Sequence, residues 1–213
     1  MSNPDARWSI RAVLTSLGVA AAFWVPRCAR AQVPAPIPAA RVTSGVLSFD
    51  GHATLGDFSG RTTTVTGALV GAPSIESVTG WVEAPVGTLR TGNGRRDRDL
   101  NASMESGKFP VIRFELTSVA ERAVRGDTVD MTLRGAFIIH GVRREAEISA
   151  FALFRPDAVE VSGSTPLDLD DYAIKGLSKM LGVLKMHPGI EVHVDVTFGL
   201  APTAPPPPAP GPS

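Results

Sequence analysis

Four histidines (His52, His140, His187, His193), one cysteine and a scatter of carboxylates are the side chains of this 213-residue chain with catalytic or metal-binding reach. A metal centre wants its ligands at close, patterned spacing, such as H-x-H or H-E-x-x-H, and no such pattern occurs. His140 falls at the break between two strand-like runs, His193 on the polar face of an alternating run, and His187 directly before Pro188. Each reads as a solvated or structural imidazole. The single cysteine, Cys28, lies in the N-terminal segment. A serine nucleophile would need a strained G-x-S-x-G turn and an oxyanion hole, whereas Val161-Ser162-Gly163-Ser164 is a strand passing small residues. Thr91-Gly92-Asn93-Gly94 is not a phosphate loop, because it runs into a charged turn instead of linking a strand to a helix. The expectation is a protein that is not an enzyme, with no catalytic residue, no metal site and no cofactor.

The elements that would position any site are strands. Ile190, Val192, Val194, Val196 and Phe198 fall on one face of a run whose other face carries Glu191, His193, Asp195 and Thr197. Thr128 to Ile139 repeats the pattern, with Val129, Met131, Leu133, Phe137 and Ile139 opposite Asp130, Thr132 and Arg134. Glu145 to Phe154 starts the same way and turns apolar on both faces at Phe151. Weaker candidates run Val42 to Phe49, Arg61 to Val70, Ile75 to Val86, Val111 to Val119 and Ala158 to Leu169. Helical pattern is confined to about Arg98 to Ser106 and Tyr172 to Leu184. Eight strands joined by sequential hairpins predict an antiparallel barrel or sandwich with one wet and one packed face. An eight-stranded barrel is filled by its side chains or holds one small ligand, and the pattern alone does not choose.

The first 31 residues read as a targeting segment. Arg7 and Arg11 form a basic start, Ala12 to Val25 an apolar stretch, and Ala29-Arg30-Ala31 a small-residue cleavage site. The apolar stretch is short for a membrane span, so an exported chain without a stable span is expected, a retained anchor being the alternative. Residues 32–40 (QVPAPIPAA) read as a Pro/Ala linker, 41–200 as the folded domain and 201–213 (APTAPPPPAPGPS) as a proline-rich tail without packed structure. The chain's 21 basic and 21 acidic residues cancel. Four arginines and one aspartate precede Gln32, so the remainder carries a net charge of −3. The basic group Arg95, Arg96, Arg98 is interleaved with Asp97 and Asp99, which leaves no footprint for nucleic acid.

Two segments carry a family resemblance. Arg96, Asp97 and Leu100 precede Phe109-Pro110 and an alternating strand, and Gly135, His140, Gly141 and Val142 follow in a hairpin-like run. In order and spacing they resemble the YceI family of secreted, polyisoprenoid-binding β-barrels, over roughly Arg41 to Leu200. The resemblance implies an eight-stranded antiparallel, lipocalin-like barrel with short helical segments. It also implies a periplasmic or secreted carrier of an isoprenoid-type lipid, a polyprenyl chain or a quinone, and it leaves room for a homodimer. The competing expectation is an interaction protein whose barrel is filled and takes no ligand.

An apolar pocket would have to come from the inward strand faces. The candidates are Trp81, Phe114, Leu116, Met131, Leu133, Phe137, Ile148, Val161, Val192, Val194 and Val196, any one of which also suits an ordinary core. Gly67, Gly80, Gly135 and Gly163 are expected to leave room along the axis. His52 lies in FDGHATLGDFSG, which resembles the family's first signature, and is placed at the pocket mouth. Asp97 is expected to cap the helix that starts near Arg98, with Arg96 pairing at the rim, direct contact with a ligand head being the alternative. Leu177, Met180, Leu181 and Leu184 stand at helical spacing and form either a lid or a packed helix.

Overall fold

The computed structural model describes residues 36–53, 56–174 and 186–200. Nine strands make one antiparallel sheet that closes on itself: β1 (Ala40–Ala53), β2 (Phe58–Thr62), β3 (Thr66–Val70), β4 (Thr79–Pro85), β5 (Val111–Arg125), β6 (Thr128–Ile139), β7 (Val142–Phe154), β8 (Ala158–Asp168) and β9 (Met186–Leu200). Neighbours follow chain order from β3 to β9, and β9 then pairs with β1 from Ala40↔Leu200 to Ala53↔Met186. Closure removes the exposed edges that an open sheet would offer to other chains.

Nine strands build eight staves because β2 and β3 share one. Leu47 to Gly51 of β1 pair with β2, while Ala40 and Arg41 of the same edge pair with β3. The sequence pattern reads Arg61 to Val70 as one strand. The polar stretch around Thr63 and Thr64 breaks it, where the Thr64 N–H turns back to the Thr62 hydroxyl. β3 continues the wall by pairing with β4, whereas β2 meets the next part of the chain through one pair, Arg61 and Arg90, with two backbone hydrogen bonds of 2.9 Å. The segment carrying the ten-residue helix α1 (Gly94–Ser103) lies over this seam, where Val86, Leu89 and Leu100 pack with Phe49 and, more loosely, Phe58.

Several boundaries differ from the sequence pattern for local reasons. Ile75 to Ser77 is a 3-10 turn and not the start of β4, since Ser74 and Ser77 satisfy each other's polar groups there. β5 runs on to Arg125 through two register shifts, which re-aim its polar second half. Ile37, assigned above to a linker, is buried and exchanges both backbone hydrogen bonds with Ala72, so packed structure begins before Arg41. The helical run Tyr172 to Leu184 starts as a 3-10 turn at Leu169–Tyr172, and its remainder lies outside the described residues. The leader and the proline tail lie outside them as well. No helix among the described residues is long and apolar enough to cross a membrane.

Candidate functional site

Alternation on closed staves sends every second side chain into the lumen. Across β4 and β5 the pairs Val82↔Phe114 and Ala84↔Ile112 point inward, while Trp81↔Glu115 and Glu83↔Arg113 point outward. The same parity continues through Phe137 opposite Phe114, Ile148 opposite Leu133, Val161 opposite Ala152 and Val196, and Val192 opposite Phe49. The result is an almost wholly apolar lumen with two chambers. The deep one, about 120 Å3, is lined among others by Phe114, Leu116, Met131, Leu133, Phe137, Ile148, Val161, Val192, Val194 and Val196. One end of it carries Ile75 and Val78, with the Ile37–Ala72 pair packed in the same cluster. The outer chamber, about 80 Å3, lies beneath α1 between Phe49, Phe58, Leu89, Leu100, Met104, Ile139, Leu169 and Ile174.

Ten of the eleven apolar residues singled out from the sequence thus face the deep chamber. Trp81 is the exception. It is among the residues that line the chamber, but its strand parity is that of the outer face, with the Arg113 guanidinium carbon 4.4 Å from the ring centroid. Arg113 is held there by Glu83 at 2.9 Å and Glu115 at 3.2 Å. Glu115 also accepts from Arg143, whose hydrogen bond does most to hold its carboxyl below the usual range. Sequence reasoning favoured the aromatic residue over its aliphatic neighbours. The register with Phe114 selects Val82 and Ala84 instead.

The glycines do not open the lumen as expected. A side chain on Gly135 would overlap the Glu115 carbonyl oxygen and come within 2.8 Å of the Phe114 ring; on Gly67 and Gly80 it would run into neighbouring main chain, and on Gly163 it would approach Ala150 and the Ser149 carbonyl at 2.9 Å. Their lack of a side chain brings neighbours closer together.

Among the described residues, charge enters the lumen at one place. The deep chamber's only polar ones among them are Glu83, turned outward in its ion pair, and Thr165, whose hydroxyl donates to the Glu147 carbonyl. In the outer chamber Arg96 forms part of the wall, its guanidinium carbon 4.8 Å from the centroid of Phe58, which meets Phe49 edge-on at 6.1 Å. No carboxylate among the described residues pairs with it at the rim. Asp97, expected to cap the helix, sits one turn inside it. Asn93 is the N-cap, accepting from the Arg95 and Arg96 N–H groups at 3.0 and 3.2 Å. Asp97 accepts from the Thr91 hydroxyl at 2.6 Å and the Thr91 N–H at 2.8 Å, and these bonds hold its carboxyl below the usual range. The pair therefore divides its work: Asp97 ties the loop before the helix, and Arg96 reaches the lumen.

His52 does not reach either chamber. It points outward on β1 and meets Asp57 at 2.7 Å, largely exposed. His193 is likewise on the outer face, 3.0 Å from Asp50. His140 is half-buried, its side chain 10% exposed. It and Gly141 have φ of +52° and +77°, as a two-residue type I′ hairpin requires, and its Nδ1 meets the Tyr172 carbonyl at 3.1 Å. Phe109 packs on its ring at 4.5 Å, so the turn between β6 and β7, the segment leading into β5 and the 3-10 turn at Leu169–Tyr172 meet at the outer-chamber end. Among the described residues no three His, Cys, Asp or Glu groups gather to hold a metal ion.

The family model described as YceI-like domain matches residues 29–198. Among solved structures, the chain is similar to a polyisoprenoid binding domain from Saccharophagus degradans implicated in plant cell wall breakdown, with 13% identity and a TM-score of 0.63 over 78% of this chain and 99% of that one. BcnA of Burkholderia cenocepacia gives 10% identity and a TM-score of 0.61, covering 72% and 95%. The YceI protein of Campylobacter jejuni gives 13% and 0.52, covering 67% and 84%. At such identities the likeness fixes the fold. No curated relative matches the sequence.

Proposed function

The chain belongs to the YceI-like family, and on that premise we propose that it is a non-enzymatic carrier of an isoprenoid-type lipid, a polyprenyl chain or quinone, working outside the cytoplasmic membrane. The observation that carries the reading is the lumen: two apolar chambers that adjoin through shared wall residues, with one guanidinium on the wall of the outer one. A linear prenyl chain suits that shape better than a fused ring system. Each Å2 of its surface removed from water contributes about 25 cal/mol. Among the described residues the deep chamber has no free polar group to satisfy a head, so the head belongs in the outer chamber, where Arg96 can meet an oxygen-bearing or anionic group. Its likeness to the polyisoprenoid binding domain of Saccharophagus degradans supports the same ligand class. The basic and apolar N-terminal segment with Ala29-Arg30-Ala31 supports export.

Native mass spectrometry of the protein purified without detergent tests the proposal, with an organic extract run alongside. The expected result is a one-to-one adduct of isoprenoid mass, lost on extraction. A bare protein mass, together with no uptake of added prenols or quinones, would sink it.

A further inference from the structure

The two chambers have four wall residues in common, Leu47, Ile112, Phe137 and Val192. These come from β1, β5, β6 and β9. Around the eight staves, β9 and β1 are neighbours on one side, and β5 and β6 are neighbours diametrically opposite. Two side chains from each wall therefore border both chambers where these adjoin. Phe137 is the largest of the four and is itself 4% exposed, with Phe114 packed beside it at 4.8 Å between ring centroids. Below this level β6 continues from Phe137 to Val129. At the usual strand rise and barrel tilt that leaves about 20 Å of dry, apolar depth.

We infer that Phe137 and the three side chains facing it form a waist that sets which isoprenoids the barrel accepts. The inference rests on the carrier reading. On this inference a prenyl chain enters through the outer chamber tail first, because no polar group among the described residues awaits a head in the deep chamber. A short chain fills the outer chamber and stops above the waist. A longer chain must displace the Phe137 ring to reach the deep chamber, and there its extra units exchange water for apolar wall. The waist thus makes long chains slow to load and slow to leave, while short ones exchange freely.

Delipidated full-length protein, mixed with geraniol or geranylgeraniol and sampled over time by native mass spectrometry, tests this. Phe137→Ala should load geranylgeraniol at least tenfold faster than the unaltered protein and change geraniol loading less than twofold. Should that variant fail to fold, Val192→Ala widens the waist from the opposite wall and should show the same selectivity. Equal acceleration of both prenols, or of neither, overturns the waist while leaving the carrier reading intact. Failure of the unaltered protein to bind either prenol overturns the carrier reading, and the waist with it.

Discussion

At the scale of single residues, the structure separates charges that hold the fold from the one that faces the lumen. Asp97 belongs to the first group. Its folded-state pKa is depressed by the Thr91 hydrogen bonds, so the stability it contributes is present above the ordinary aspartate pKa and is lost as pH falls through the depressed value. Asp97→Asn should therefore lower the melting temperature at pH 7, with the gap to the unaltered protein closing in acid; thermal melts across that range check it. Tyr172, the chain's only tyrosine, is shifted the other way, chiefly by burial. Its stabilising contribution is present below the ordinary phenol pKa and lost as pH rises through the raised one, so absorbance at 295 nm should show phenolate appearing later than in the unfolded chain. Trp81 supplies a third expectation. With its ring outside under Arg113, acrylamide quenching in a chain starting at Gln32, where it is the only tryptophan, should be unchanged by lipid loading. The residue scale is also where sequence reasoning was weakest. Arg96 and Asp97 were legible as a pair, yet their different partners, Phe58 and Thr91, depend on how a loop folds back, which spacing does not encode.

At the scale of elements, alternation made most of the barrel readable, because a period of two on a half-buried sheet leaves one consistent apolar face. β6, β7 and β9 follow their patterns almost residue for residue. Where a strand breaks without a change of composition, the pattern misleads. β2 and β3 read as one run because both halves alternate, and the turn between them is stabilised by a hydroxyl, not by glycine or proline. The glycines misled for a related reason, since their missing side chains are spent on close packing. Gly135→Ala should accordingly destabilise by about 1–3 kcal/mol, as overpacking a filled site does, and denaturant titration should show it even though the change adds apolar surface. Asn93→Ala should cost about 1 kcal/mol through the lost helix cap.

At the scale of the whole molecule, closure by β1 and β9 joins the first and last strands of the domain, so stability is not local to any hairpin. Amide hydrogen exchange should find β1 and β9 as slow as the central pair β6 and β7; fast exchange at β1 alone would contradict a closed wall. The wall is nonetheless uneven in stiffness. Across most seams, parting two staves means breaking a ladder of five or more paired residues at once. Between β2 and the segment running into α1, it means breaking the two hydrogen bonds of Arg61 and Arg90 and lifting Leu89 and Leu100 off Phe49 and Phe58. A barrel built this way behaves less like a sealed tube than like a cuff with one soft fastening, able to yield on one side while every other joint stays shut.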